Sequence, residues 1–500
     1  MKPNSARGFG SGASARDDFL SHELAELLSR HLREDLSSRV LGWFHEAVRD
    51  VPAYQRFLAG RGIDATKIRT LADFATLPVT SKAEYHKAFP LAELCRGGAL
   101  ERADFVAVSS GSTGEPSFWP RFFGDELGTS ARFEQVLSAG FGLGSRRTLG
   151  VVCFALGSWV GGLYTTFACR NLSAKGYPLT LVTPGNNRVE ILRVVRALAP
   201  SFDDVVLFGY PPFLKDVIDA GRADGLDWSQ RRVHLVTAGE VFSEEWRSLV
   251  LERLGAREPR RIASLYGTAD GGVLANETPL SVEIRRFLAD HPGAARELFG
   301  ESRLPTLCQY DPYHRYFEAY GDELVFSGDG TLPLMRYRIL DRGSVVPYSR
   351  MIDFLRDHGF SAVPSGAEAT AKLPFVSVFG RSGFALSFYG ANVYPENVSV
   401  GLEQPEIAGA VTGKFVMELR ETTSERDGEL SVTVELAAGV EASAELAERV
   451  ARSVRTELER LNSEFANYAP PERRTPRITL LPLGDPAYFP PNVKHRYTRH

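Results

Sequence analysis

The chain has 500 residues, 43% of them apolar, which is more than one hydrophobic core accommodates, so two folded domains are expected. Its 58 basic and 62 acidic residues leave a net charge of −4, a near balance that offers no basic field to a nucleic-acid partner. Four widely spaced cysteines, Cys95, Cys153, Cys169 and Cys308, form no Cys-x-x-Cys pair, which argues against a zinc ribbon or a disulfide framework and points to a reduced, cytoplasmic setting.

Residues 1–18 are rich in Gly, Ser and Ala without an apolar core and read as a disordered tail, neither signal peptide nor anchor. No apolar run is long enough to cross a bilayer, so no membrane partner is expected. Over 19–48, Leu20, Leu24, Leu27, Leu28, Leu32, Leu41, Phe44 and Val48 recur at helical spacing and predict amphipathic helices. Ser81 and Glu84 form a capping box for a further short helix. Apolar runs at 149–155, 179–183, 205–208 and 233–237 then alternate with helical patterns at 189–198 and 246–254, the mark of an α/β layer. Residues 351–358 predict another helix. After Gly380 the pattern becomes strand, helix, strand, strand, helix, strand, a small α+β domain in which 429–436 alternates and 450–461 is helical. Gly380, Arg381, Ser382 and Gly383 lie at this change, and glycines flanking Arg381 suit a hinge as well as a tight turn.

Candidate chemistry sits in a few short stretches. In Ser109-Ser110-Gly111-Ser112-Thr113-Gly114-Glu115-Pro116, glycines let main-chain N–H groups close on an anion while hydroxyls add donors, which suits a triphosphate. Alone, such an octet is equally a flexible linker, and it gains meaning from its company. That company is Thr237-Ala238-Gly239-Glu240, Tyr266-Gly267-Thr268-Ala269-Asp270, Arg336-Tyr337-Arg338-Ile339-Leu340-Asp341, Gly380-Arg381-Ser382-Gly383 and Lys494.

In this order the stretches resemble the motifs of the adenylate-forming enzyme superfamily, and within it of the phenylacetate-coenzyme A ligase family, which read SSGSTGKP, YGxSE or YGxTE, RYRTGD and GRSDD. The front end, 45–54 and 70–80, is similar to that family's helical leader, so the resemblance spans about 41–494. It implies an α/β fold: a large N-terminal adenylate-forming domain with mixed sheets and helices over 19–380, plus a small mobile C-terminal α+β domain over 381–500. It also implies an ATP-dependent carboxylate ligase that forms acyl-AMP, releases pyrophosphate and makes a coenzyme A thioester.

The resemblance assigns the roles. Ser110, Gly111, Ser112, Thr113 and Gly114 hold the β- and γ-phosphates of ATP. Ala238, Gly239 and Glu240 line the adenine and acyl pockets, Tyr266 with Gly267 flanks adenine, and Asp341 accepts the ribose hydroxyls. Asp270 stands at the family's magnesium-binding glutamate, one methylene shorter, and no metal beyond Mg²⁺ is implied. Thr268 replaces a neighbouring Ser or Thr as the α-phosphate contact, Arg381 reaches ribose or phosphate, and Lys494 is the terminal catalytic lysine. Departures are Glu115 for the loop lysine, Ala269, Asp270, Leu340 for a glycine, and Gly383 for the hinge aspartate. His314 is given no role, and the arginine pairs 146–147, 231–232 and 260–261 are read either as a grip for a coenzyme A phosphate or as solvated faces.

The family favours aryl acids, so an aromatic or small hydrophobic carboxylic acid is the expected substrate, with Phe141, Trp159, Phe208 and Tyr210 as pocket walls or core. The acceptor stays open between coenzyme A, a carrier-protein thiol and an amine, and a nucleotide-binding relative without catalysis is a third reading. The oligomeric state is also open, a homodimer being one option.

Overall fold

The computed structural model describes residues 12–109, 117–157, 160–301, 303–361, 372–381, 386–389, 391–421, 428–490, 495 and 497–499. The opening apolar residues form helices as their spacing demands: Leu24–His31 buries Leu24, Leu27 and Leu28, and Leu36–Asp50 buries Val40, Trp43, Phe44 and Ala47. Asp35 caps the latter by accepting from the Ser38 amide at 2.9 Å. The tail expected over 1–18 differs: a helix, Gly12–Ser21, already runs through its second part. Phe19 is the reason, since it is 5% exposed in one apolar cluster with Leu127, Phe133 and Leu172, and Lys175 Nζ lies 4.5 Å from its ring centroid. Strand β1 (Thr80–Ser81) leads into a wide turn, Lys82–His86, where Ser81 accepts from the Glu84 amide at 3.1 Å, the first half of the expected capping box. Strands β2 (Phe105–Ser109) and β3 (Ser117–Arg121) pair antiparallel, with Ser109 opposite Ser117.

The predicted α/β layer is present as β4 (Thr148–Val152), β5 (Leu179–Val182), β6 (Asp204–Gly209), β7 (Arg232–Ala238) and β8 (Ile262–Thr268), all parallel. Their runs are continuously apolar because both faces are covered. Val205 and Leu207 point into a cluster with Ile191, Leu192, Val195 and Val250, whereas Val206 and Phe208 point into the one holding Phe19, Phe133 and Leu172. The covering helix Arg188–Leu198 starts at Asn187, whose side chain accepts from the Glu190 amide at 3.2 Å. The sheet continues in antiparallel pairing through β9 (Gly272–Asn276), β10 (Thr306–Gln309), β11 (Tyr316–Tyr320), β12 (Glu323–Gly328), β13 (Leu334–Val346) and β14 (Phe375–Arg381), giving twelve strands with β1 attached to β13. The helix predicted over 351–358 is Tyr348–Asp357.

From Leu386 the chain builds a separate core. Strands β15 (Leu386–Phe388) and β16 (Ala391–Val393) form a hairpin, and β17 (Val411–Glu421), β18 (Gly428–Leu436), β19 (Arg477–Leu481) and β20 (Thr498–Arg499) form a sheet ordered β19-β18-β17-β20. Helix Ala444–Leu461 packs its Leu446, Val450, Val454 and Leu458 onto it. This smaller α+β unit meets the large one through charges. Lys414 Nζ is 2.5 Å from Asp216 and 3.3 Å from Glu435, Lys215 Nζ donates to the Val411 carbonyl at 3.3 Å, and Arg253 Nη2 donates to the Ala408 carbonyl at 2.9 Å. All four cysteines are buried and free, and no helix among the described residues is long and apolar enough to cross a membrane.

In β13, Leu340 has φ +66°, a left-handed backbone that costs an L-residue roughly 1–2 kcal/mol. The resembling family has glycine there, so the conformation persists where the residue that suits it has changed. Leu340 is 46% exposed, so little packing is lost on replacement. Leu340→Gly should therefore stabilise the large unit by up to about 1 kcal/mol once the greater freedom of an unfolded glycine is subtracted, read as a higher denaturant midpoint.

Candidate active site

The carboxyl ends of β7 and β8 and the middle of β13 carry most of the predicted residues. Such strand ends are where α/β sheets present loops for ligands. Tyr266 and Gly267 end β8, and Thr268, Ala269, Asp270 and Gly271 form the turn into β9. Gly267 is obligatory there, because a Cβ would lie 2.9 Å from the Gly272 carbonyl oxygen. The turn is held from inside. Thr268 Oγ1 accepts from the Gly271 amide at 2.9 Å, Arg121 Nη2 donates to the carbonyls of Ala269 and Asp270, and Arg315 Nη2 donates to that of Gly271 at 2.8 Å.

Two tyrosine–aspartate hydrogen bonds link this turn to β13 in opposite directions. Tyr266 donates to Asp341 Oδ2 at 2.8 Å, and Tyr337 donates to Asp270 Oδ2 at 2.6 Å. Asp341 is 7% exposed and stands directly opposite Arg381 in the β13–β14 ladder. The ribose and magnesium candidates are thus fixed to one another's strands. Tyr266, expected beside adenine, is 8% exposed and its ring stacks 6.2 Å from Phe317, so much of it belongs to the core.

Next in the sheet, Ala238 of β7 is level with Leu265 of β8. Gly239 follows with φ +85°, and a Cβ on it would sit 2.7 Å from the Tyr210 ring, so only glycine fits. Glu240 accepts from Tyr497 at 2.7 Å. Of the proposed pocket walls, Tyr210 remains at this turn, whereas Phe141 and Phe208, at 5% and 0% exposure, are core residues; Trp159 lies outside the described residues.

Ser110, Gly111, Ser112, Thr113, Gly114, Glu115, Gly383 and Lys494 also lie outside the described residues. The base of the phosphate loop is described, and it carries a cation that sequence reasoning missed: Lys82 Nζ donates to Ser109 Oγ at 3.0 Å. Lys82 is held there by the pairing of β1 with the distant β13, Ser81 opposite Arg338. Arg146, Arg231, Arg232 and Arg261 line a cavity of about 390 Å³ at the amino ends of β6 and β7, the opposite edge of the sheet. Their partners include Asp204 and Glu258, which fits ion-paired surface arginines. His314 joins His31 and Arg132 around the buried Asp311, a knot that ties the N-terminal helices to the sheet.

No family model matches the chain. The phenylacetate-coenzyme A ligase of Aromatoleum evansii is 21% identical over 357 residues, 70% of this chain and 71% of that protein. The enzyme of the same name from Thermus thermophilus is 25% identical over 386 residues, 76% of either chain. Among solved structures, 2-hydroxyisobutyryl-CoA ligase in its postadenylation state with R3-HIB-AMP has a TM-score of 0.64 at 14% identity, covering 100% of this chain and 93% of that one. Fold and relatives together define an adenylate-forming ligase of the acid–thiol type. Within that superfamily the chain resembles the phenylacetate-coenzyme A ligases.

Behind the Asp270 turn, Glu126 is 4% exposed and its Oε2 has no partner among the described residues. Burial pushes its carboxyl up to about 7, against the pull of Arg121 and with a push from Asp125. The unfolded chain binds this proton only near 4.5, so folding favours the protonated form: the contribution is complete below about pH 4.5 and lost as pH climbs through 7. Glu126→Gln should flatten the stability profile across that window, by about 3 kcal/mol between its ends, as followed by denaturation at a series of pH values. Tyr337→Phe, which frees one oxygen of Asp270, should raise the Mg²⁺ concentration for half-maximal adenylation by roughly 5- to 10-fold, the scale of one lost hydrogen bond. An unchanged Mg²⁺ titration would leave Tyr337 as a packing residue.

Proposed function

We propose that this chain activates a carboxylic acid with ATP and transfers the acyl group to coenzyme A. In the first step a carboxylate oxygen bonds to the α-phosphorus and pyrophosphate leaves, giving acyl-AMP. In the second the thiol sulfur bonds to the acyl carbon, AMP leaves and the thiol proton passes to solvent. The reciprocal bonds of Tyr266 with Asp341 and Tyr337 with Asp270 carry this reading, because they set two carboxylates at the ends of adjacent motifs with their orientations fixed.

Asp341 serves the ribose hydroxyls, and its cross-strand partner Arg381 the neighbouring phosphate or ribose. Asp270 fits a magnesium ligand: one oxygen is tied to Tyr337 while no other described residue binds its carboxylate. Bound Mg²⁺ shields the triphosphate charge. Residues 110–114 cradle the phosphates, with Lys82 at the base of the loop offsetting the lysine that Glu115 has displaced. Thr268 and Lys494 act at the α-phosphate, and residues from 381 on rotate between the two steps. An aromatic or small hydrophobic acid is the substrate, supported by the naming of both relatives for phenylacetate and by the Tyr210 ring beside Gly239.

Incubation with ATP, Mg²⁺ and a panel of carboxylic acids, followed by mass spectrometry for acyl-AMP, tests the reading; silence across aryl and short aliphatic acids would sink it. Asp341→Ala should weaken ATP binding about 10- to 100-fold in calorimetry, the range for a hydrogen-bonded charged group. Unaltered affinity would remove the ribose assignment.

A further inference from the structure

The chain leaving β7 faces two ways. Its residues 238–240 are those assigned to the nucleotide and acyl pockets, and over 240–245 it meets the smaller unit at three points. Tyr497 donates to Glu240 Oε2 at 2.7 Å, Ser243 donates to Glu403, and Arg460 Nη2 lies 3.5 Å from Glu245. Ser243 is also the cap of helix Glu244–Arg253, accepting from the Trp246 amide at 2.9 Å, so the strip is stiffened on its helical side. Among the three contacts, Tyr497 alone reaches a pocket residue.

Tyr497 is itself firmly placed. It precedes β20, in which Thr498 lies level with Met417 of β17, and its ring packs 5.1 Å from Phe415 and 4.5 Å from His495. His495 Nε2 is 2.7 Å from the Phe415 carbonyl oxygen. Burial, with the charge of Glu240, pushes the Tyr497 hydroxyl well above its ordinary range, so it remains a donor at neutral pH.

We propose that Tyr497 is a positioning residue, whose hydrogen bond to Glu240 couples the acyl-pocket turn to the docked smaller unit in the arrangement used for adenylation. The inference rests on the function proposed above, and it requires the bond to be released before the thioester step. Occupancy of the pocket and docking of the small unit then act on the same turn, each favouring the other.

The test is Tyr497→Phe in the full chain, read in three ways: amide hydrogen exchange of the free protein, acyl-AMP formation from acid and ATP, and thioester formation from supplied acyl-AMP and coenzyme A. Exchange at 240–245 and 497–499 should rise with the melting transition unchanged. Acyl-AMP formation should fall about 10-fold, the loss expected for a hydrogen bond to a charged acceptor, while the second half-reaction keeps its rate. Equal losses in both half-reactions would make Tyr497 merely structural, and unchanged exchange would overturn the coupling whatever the rates. Should the wild type form no acyl-AMP from any acid, the proposed reaction fails separately, and the exchange comparison alone upholds or overturns the contact.

Discussion

Two tyrosine hydroxyls that cross in opposite directions between β8 and β13 are the constraint on which the candidate site depends. The two strands are not neighbours, since β9, β10 and β14 lie between them in the sheet. A main-chain ladder alone would let the Asp270 turn and the Asp341 position drift independently. The hydroxyls prevent this, because each aspartate is restrained by a ring that the other segment buries. Both segments read Tyr-x-x-x-Asp, Tyr266 to Asp270 and Tyr337 to Asp341, so one spacing serves each as donor and acceptor. Tyrosine suits this position because its body adds to the core while its tip satisfies a carboxylate that would otherwise be costly to bury.

Much of the fold was legible because it depends on runs of apolar residues. Strands buried on both faces stand out as continuous valine and leucine runs, and the helices that cover them show their 3.6-residue period. The start of the helix that carries Phe19, residues 12–18, was not legible, since Gly, Ser and Ala there carry no periodicity and the burial of one ring decides the matter. The same limit applies to Phe141 and Phe208: an aromatic residue in an apolar segment looks alike whether it lines a pocket or fills a core, and here the helices packed on the sheet make both core.

The site divides along similar lines. Residues singled out by their type within a motif, such as Asp341, Asp270 and Gly239, could be nominated from the chain alone. Residues that act through a fold-dependent meeting could not. Lys82 reaches Ser109 because β1 joins the sheet beside β13, and Tyr497 reaches Glu240 across 257 positions of sequence. No local pattern encodes such distances. Leu340 is an intermediate case, where the altered residue was visible and the left-handed backbone beneath it was not.

The contact between the two units includes Lys215, Lys414, Asp216, Glu435 and Arg253, together with main-chain carbonyls. Its chemistry bears on what a parting of the units would expose. An interface of leucines, once opened, offers bare hydrocarbon to any other open molecule. Charged side chains instead exchange one another for water, recovering in hydration much of what they lose in mutual attraction. A joint made this way would present no adhesive surface on opening, and because its ion pairs are largely buried its strength depends little on dissolved salt.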